Sequence, residues 1–232
     1  MNNIRISLKI SLKREFENLG LFETILYFVS IFLIVFVSVY LKDNLIATLS
    51  AFFGISYTIL AGRGKIYCYF FGLVSSLLYS YLAFKNGFFG NFALNLFYYF
   101  PCQLVGFFIW KKHLKKNSLE IIKTKLQIKN RVLVFVSAFI LSLLTGFILD
   151  YFGNMAYFDA ICLIFSIFAM VLTVKRCIEQ WYFWIIVNFF SVLMWFFAYL
   201  NGSKCFATVI MWFVYLILGF YFLKKWQKDI QA

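Results

Sequence analysis

Histidine and proline occur once each in this chain of 232 residues, and only nine of its side chains are acidic. Each scarcity closes off a class of function. His113 stands among lysines and has no second imidazole with which to build a metal site. Asp150, Asp159 and Glu179 fall at the ends of apolar runs, so no carboxylate pair is available at mid-depth for acid–base chemistry. Cys68, Cys102, Cys162, Cys177 and Cys205 are scattered without a CxxC and read as packing thiols. "GRGK" at 62–65 is too short for a phosphate-cradling loop and follows no strand. An enzyme is not expected, and neither is a metal or cofactor site.

What the chain has instead is apolar length. Hydrophobic residues make up 64% of it, 23% is aromatic, and the mean hydropathy is +0.87. No soluble domain of this size needs so much apolar surface; the expected class is all-α integral membrane. The start, "MNNIRISLKISLKREFENLG", lacks the compact apolar core and cleavage site of a removable signal. It reads as a basic amphipathic lead-in with Ile4, Leu8, Leu12 and Phe16 at helical spacing. Eight spans follow, at 24–41, 44–61, 66–84, 88–110, 132–152, 157–174, 180–200 and 205–223, each near the ~20 residues that a bilayer requires.

Charge orients them. With eight spans, 19 of the 22 Lys and Arg fall on the side that holds both termini and three on the other. Such asymmetry predicts a multi-pass membrane protein with both termini cytoplasmic. The net charge of +13 then describes loops beside anionic lipid, and no nucleic-acid partner is needed.

A repeat organises the spans. "LAFKNG" (82–87) is matched by "FAYLNG" (197–202), and "GFFIWKK" (106–112) by "GFYFLKK" (219–225). Spans 2–4 and 6–8 therefore read as two parallel copies of a three-helix bundle, with span 5 inverting between them and span 1 outside the repeat. The expected organisation is a basic segment and extra helix at 1–43, a first bundle at 44–110, a basic loop and linker helix at 111–156, a second bundle at 157–223 and a tail at 224–232. A parallel 3+1+3 arrangement is a transporter pattern, found in SWEETs, with substrate between the halves. Gly54, Gly72, Gly106 and Gly219 would permit close packing or bending of the helices.

The polar residues inside the spans are amides and hydroxyls flanked by aromatic rings. At about 100° per residue, Trp181, Trp184 and Asn188 of "QWYFWIIVN" fall within roughly 60° of arc, and Ser191, Trp195 and Tyr199 prolong the stripe. In span 4, Asn95, Tyr99, Gln103, Gly106 and Trp110 lie within about 80°. Pro101 has no N–H for the Phe97 carbonyl, which is thereby free to bond elsewhere. Interhelical glue would also account for single amides, and an interfacial belt suits Trp110 and Trp226. Together, aromatic faces and amides describe a site for a flat heterocycle, neutral or a delocalised cation, that bears polar substituents. Arg176 and Glu179, three apart at the basic end, are either a candidate gate or a solvated surface pair.

The "FPCQLVGFFIW" run (100–110) and "WYFWIIVN" (181–188) resemble the paired signatures of the PnuC nicotinamide riboside transporters, over roughly residues 44–225. The resemblance implies a SWEET-like fold, a homotrimer, and facilitated uptake of the vitamin with trapping by a cytoplasmic kinase. It implies substrate contacts at Gln103, Trp181, Trp184 and Asn188. Phe107 and Phe108 depart from the more aromatic variants, which have Trp or Tyr there. Two alternatives stay open: thiamine or another vitamin on the same stripe, and a membrane receptor or scaffold whose polar core is purely structural.

Overall fold

The structure, a computed structural model, describes residues 20–40, 45–85, 92–115, 120–151, 156–201 and 206–231. The amphipathic face of Ile4, Leu8, Leu12 and Phe16, the junction of the first two spans at 41–44, and Cys205 lie outside the described residues. Within them the chain forms eight helices and no strand. They are α1 (Leu21–Tyr40), α2 (Leu45–Arg63), α3 (Cys68–Lys85), α4 (π-helical Leu94–Tyr99 running into α-helical Phe100–Lys111), α5 (Ile128–Asp150), α6 (Ala156–Val174), α7 (Gln180–Leu200) and α8 (Phe206–Gln231). Six of them, all but α3 and α4, are long and apolar enough to cross a membrane.

Two departures from the expected spans have local causes. The π-helical stretch in α4 answers Pro101: with no N–H to reach back four residues, the backbone widens, and the Phe100 N–H bonds the Asn95 carbonyl five residues back. The last helix runs to Gln231, beyond the apolar run, because Trp226 on its polar extension is fully buried. A buried indole holds that turn against the protein where solvent would otherwise fray it.

Packing groups the helices. α2 lies against α3 and α3 against α4; α6 lies against α7 and α7 against α8. Between these sets, α2 meets α8 and α4 meets α6. α5 packs on α6, and α1 on α2 and α8. The outward sides of α1 and α5 carry exposed Phe28, Phe32, Leu133 and Phe139, as lipid-facing surfaces require.

The basic end is closed by two turns of one design. Gly64 (φ +72°) ends α2 and Arg176 (φ +62°) ends α6 in the left-handed conformation that terminates helices. After Gly64, the Lys65 N–H bonds the Leu60 carbonyl; after Arg176, the Cys177 N–H bonds the Leu172 carbonyl, both at 2.9 Å. The α4–α5 connection straps both turns: the Ile121 N–H bonds the Gly64 carbonyl (3.0 Å) and the Thr124 N–H bonds that of Arg176 (2.9 Å). Ile121 is wholly buried between them. A Cβ at Gly64 would stand 2.9 Å from the Ile121 side chain, so both backbone and contact require glycine.

The indoles expected in an interfacial belt are core residues. Trp110 and Trp226 have no exposed surface. The Trp110 Nε1–H donates to the Thr173 carbonyl at the end of α6 (3.0 Å), and the Trp226 Nε1–H to the Gly62 carbonyl at the end of α2 (2.6 Å). Carbonyls in a helix's last turn have no partner within the helix, and here a helix of the other set supplies one.

Glu23, which the sequence places just outside the first span, is also completely buried. Its carboxylate accepts from Arg63 of α2, from Lys225 (2.6 Å) and Tyr221 (3.1 Å) of α8, and from the Gly20 N–H (3.0 Å). The extra helix is thus tied to both sets at once. Glu23→Ala leaves two cations facing an empty pocket, so we expect a loss of about 3–5 kcal/mol. Thermal melting in detergent checks this; an unchanged midpoint would show the cluster to be ornamental.

Candidate functional site

Helices α2, α3 and α4 on one side and α6, α7 and α8 on the other enclose a cavity of about 990 Å³. All seven residues expected to contact a ligand line it: Asn95, Tyr99 and Gln103 from α4, and Trp181, Trp184, Asn188 and Trp195 from α7. The π-helical stretch carries Asn95 and Tyr99 and turns less per residue than the α-helix that carries Gln103, yet all three meet the same space. Phe107 and Phe108 are not among the lining residues.

Thr173 fixes the geometry of the aromatic wall. Its hydroxyl accepts from Trp184 Nε1–H (3.1 Å) and donates to the Ala169 carbonyl (2.8 Å), while its own carbonyl holds Trp110. Trp184 is therefore locked in place, its ring 6.4 Å from that of Tyr99 at 55°. Trp181 packs on Phe222 (5.4 Å) and edge-on to Trp226 (5.9 Å), forming the floor toward the basic end. Gln103 lies flat on α3: a Cβ at Gly72 would stand 2.6 Å from its amide.

Several lining residues hold a polar atom with no protein partner. Gln103 Oε1, Trp181 Nε1, Trp212 Nε1 and Ser50 Oγ are buried and unbonded among the described residues. Each such atom costs about 1–3 kcal/mol until something bonds it. Four around one cavity suit a ligand that brings donors and acceptors of its own. Tyr57, Ser166, Trp212 and Tyr215 complete the aromatic and hydroxyl wall. Tyr57, Tyr215 and Thr173 do not stand out in the sequence, although Trp212 and Tyr215, three apart on α8, share a helix face.

Arg176 and Glu179 do not make the expected pair. Glu179 is fully buried and accepts from Arg131 (2.8 and 3.0 Å) and the Leu126 N–H (3.2 Å), which fastens the start of α5. Arg176 donates to the Ile122 carbonyl at 2.8 Å. Arg176 thus bonds the α4–α5 connection, whereas Glu179 bonds that connection at Leu126 and the first turn of α5 at Arg131. Neither residue lines the cavity. Nearby, burial pushes the Cys177 thiol above its ordinary value, as suits a packing residue.

Beyond Trp181, fully buried Tyr69, Trp110, Ile121 and Phe222 separate the cavity from the basic loops. At the other end the cavity reaches Leu149, Trp195 and the exposed Asp159. Among the described residues, the cavity is backed by buried side chains toward the basic loops and extends to the exposed Asp159 at the other end.

Residues 44–228 match a family described as nicotinamide mononucleotide transporter. The nicotinamide riboside transporter PnuC of Neisseria mucosa is 32% identical over 215 residues, covering 89% of this chain and 80% of that protein. That of Haemophilus influenzae is 28% identical over 232 residues, covering 97% and 99%. A crystal structure of the vitamin B3 transporter PnuC superposes with a TM-score of 0.84 at 30% identity, over 95% of this chain and 97% of that one.

Thr173→Val keeps side-chain volume but removes the acceptor that orients Trp184. With nicotinamide riboside, the ligand named for those relatives, as titrant, calorimetry should show affinity reduced about fivefold or more, for a lost bond of about 1 kcal/mol. Unchanged affinity in a folded variant would mean that the ring needs no such anchor.

Proposed function

The chain belongs to the nicotinamide mononucleotide transporter family, and we propose that the cargo it carries through its membrane is the riboside, not the phosphorylated mononucleotide. The observation that supports this is the charge of the cavity wall: among the described residues it includes no Lys or Arg. A phosphate monoester brings about −1.5 to −2 charges at pH 7 and would be desolvated with no cation to meet it. The riboside suits the same wall. Its pyridinium ring can pack against Trp184 and Tyr99, its carboxamide complements Gln103 and Asn188, and its ribose hydroxyls complement Ser and Tyr side chains. Phosphorylation by a cytoplasmic kinase would then trap the product, since the phosphorylated form finds no way back.

In this reading α2–α4 and α6–α8 are the two bundles of a parallel 3+1+3 repeat, spanning 44–110 and 157–223. Its supports are the paired left-handed turns at Gly64 and Arg176 and the matching inter-bundle contacts, α2 with α8 and α4 with α6. The two indole bonds, Trp110 to α6 and Trp226 to α2, follow the same exchange. The basic loops and both termini face the cytoplasm of an inner-membrane protein, and the cavity's open end faces outward. The bundles rock about the cavity and transport is facilitated diffusion: among the described residues the one lining carboxylate, Asp159, lies in the first turn of α6 and not at mid-depth, where it could carry a proton or bind sodium. Assembly as a homotrimer completes the reading.

Proteoliposome uptake tests it. Saturable entry of nicotinamide riboside is expected, with the mononucleotide neither transported nor competing at equal concentration. Comparable transport of the mononucleotide would contradict the reading. Asn188→Ala and Gln103→Ala should each raise KM about tenfold, the loss of one or two bonds to a polar ligand, with little change in melting temperature. A lowered melting point with unchanged KM would mark both amides as helix glue.

A further inference from the structure

Asp159 is the only charged residue among the described residues that line the cavity. Its place there follows from the helix that bears it. Asp159, Cys162, Leu163, Ser166 and Met170 share one face of α6, and all five line the cavity. The stripe starts at the exposed Asp159 in the first turn and runs inward to Met170, whose sulfur accepts from the Tyr57 hydroxyl (4.0 Å) at the cavity's inner end. The carboxylate thus stands at the mouth, and the aromatic and amide groups lie deeper. Elsewhere the chain is strongly basic, and its cations gather at the opposite end of the helices.

We propose that Asp159 is a specificity-determining residue that draws a positively charged ring into the mouth of the cavity, so that the protein favours a cationic heterocycle over an uncharged one of the same shape. The inference rests on the riboside reading and adds to it that net charge, besides shape and hydrogen bonding, is selected. A carboxylate at the mouth raises the local concentration of cations entering a low-dielectric cleft. Its exposure keeps the attraction moderate and open to screening by salt, so a captured ring passes inward to the neutral wall without being held at the entrance. The same charge repels a phosphate, adding to the exclusion of the mononucleotide.

The discriminating experiment compares two cargoes in proteoliposomes of the full chain: nicotinamide riboside, a pyridinium cation, and its reduced dihydropyridine form, which has no net charge. Asp159→Asn should raise the KM for the cation roughly three- to tenfold and leave that for the uncharged form within about twofold. Asp159→Glu should restore the cation's KM. In the unmodified chain the cation's KM should rise with ionic strength and the uncharged form's should not, a comparison that decides the matter even if the Asn variant fails to fold. Equal effects of Asp159→Asn on both cargoes would assign the residue to the stability of the α6 N-terminus and overturn the proposal. Salt-independent KM values would overturn it too. An unmodified chain that carries both forms equally well would refute charge selection while leaving the riboside reading intact; one that carries neither would remove both.

Discussion

Two carbonyl groups that their own helices cannot satisfy hold this molecule together. At the ends of α2 and α6, Gly62 and Thr173 present them to the protein interior, and Trp226 and Trp110 from the opposite sets close them. Each bond is formed away from water, where an unmet carbonyl costs several kcal/mol, so the exchange is effectively obligatory. It fixes α8 to α2 and α4 to α6, and the cavity is the space left above those two seams. Thr173 extends the constraint into the site, because its hydroxyl orients Trp184 while its carbonyl holds Trp110.

The strap adds a second layer at the same end. Ile121 is wholly buried and bonds Gly64 through its own N–H, and Thr124, three residues on, bonds Arg176. Lys123 of the strap pairs with Asp229 and lies 5.1 Å from the Trp226 ring, although burial pulls its ammonium below the ordinary lysine value, an effect that Asp229 partly offsets. Opening the cavity toward the basic end therefore requires several contacts to yield together, whereas at the opposite end the lining reaches an exposed residue, Asp159. An asymmetry of this kind lets a carrier rest with one mouth accessible.

Much of this was legible in the sequence, and the parts that were not share a cause. Apolar length placed most helices to within about four residues, the last one excepted, since a bilayer-sized run of Leu, Phe and Val has few other uses. Helical spacing gathered Trp181, Trp184 and Asn188 on one face, and the same rule gathered Asn95, Tyr99 and Gln103. Periodicity says which residues share a face; it does not say what that face meets. Trp110 and Trp226 accordingly read as an interfacial belt, although each finds a carbonyl on another helix. Glu179 and Arg176 were matched to each other because they are close in sequence, whereas their partners lie 48 and 54 residues away. Pro101 announced a break in the ladder but not that a π-helical stretch would absorb it. Thr173 carried no signal, since a threonine bonded four residues back looks the same whether or not two indoles rest on it.

The most direct test is to determine the structure with nicotinamide riboside bound. The account predicts the pyridinium ring against Trp184 and Tyr99, with its carboxamide within hydrogen-bonding distance of Gln103 or Asn188. It also predicts that Trp110 and Trp226 keep their carbonyl partners if the cavity is still open at Asp159. A ligand found outside the space between the two sets of helices, or a riboside-filled cavity in which neither amide touches it, would contradict the account.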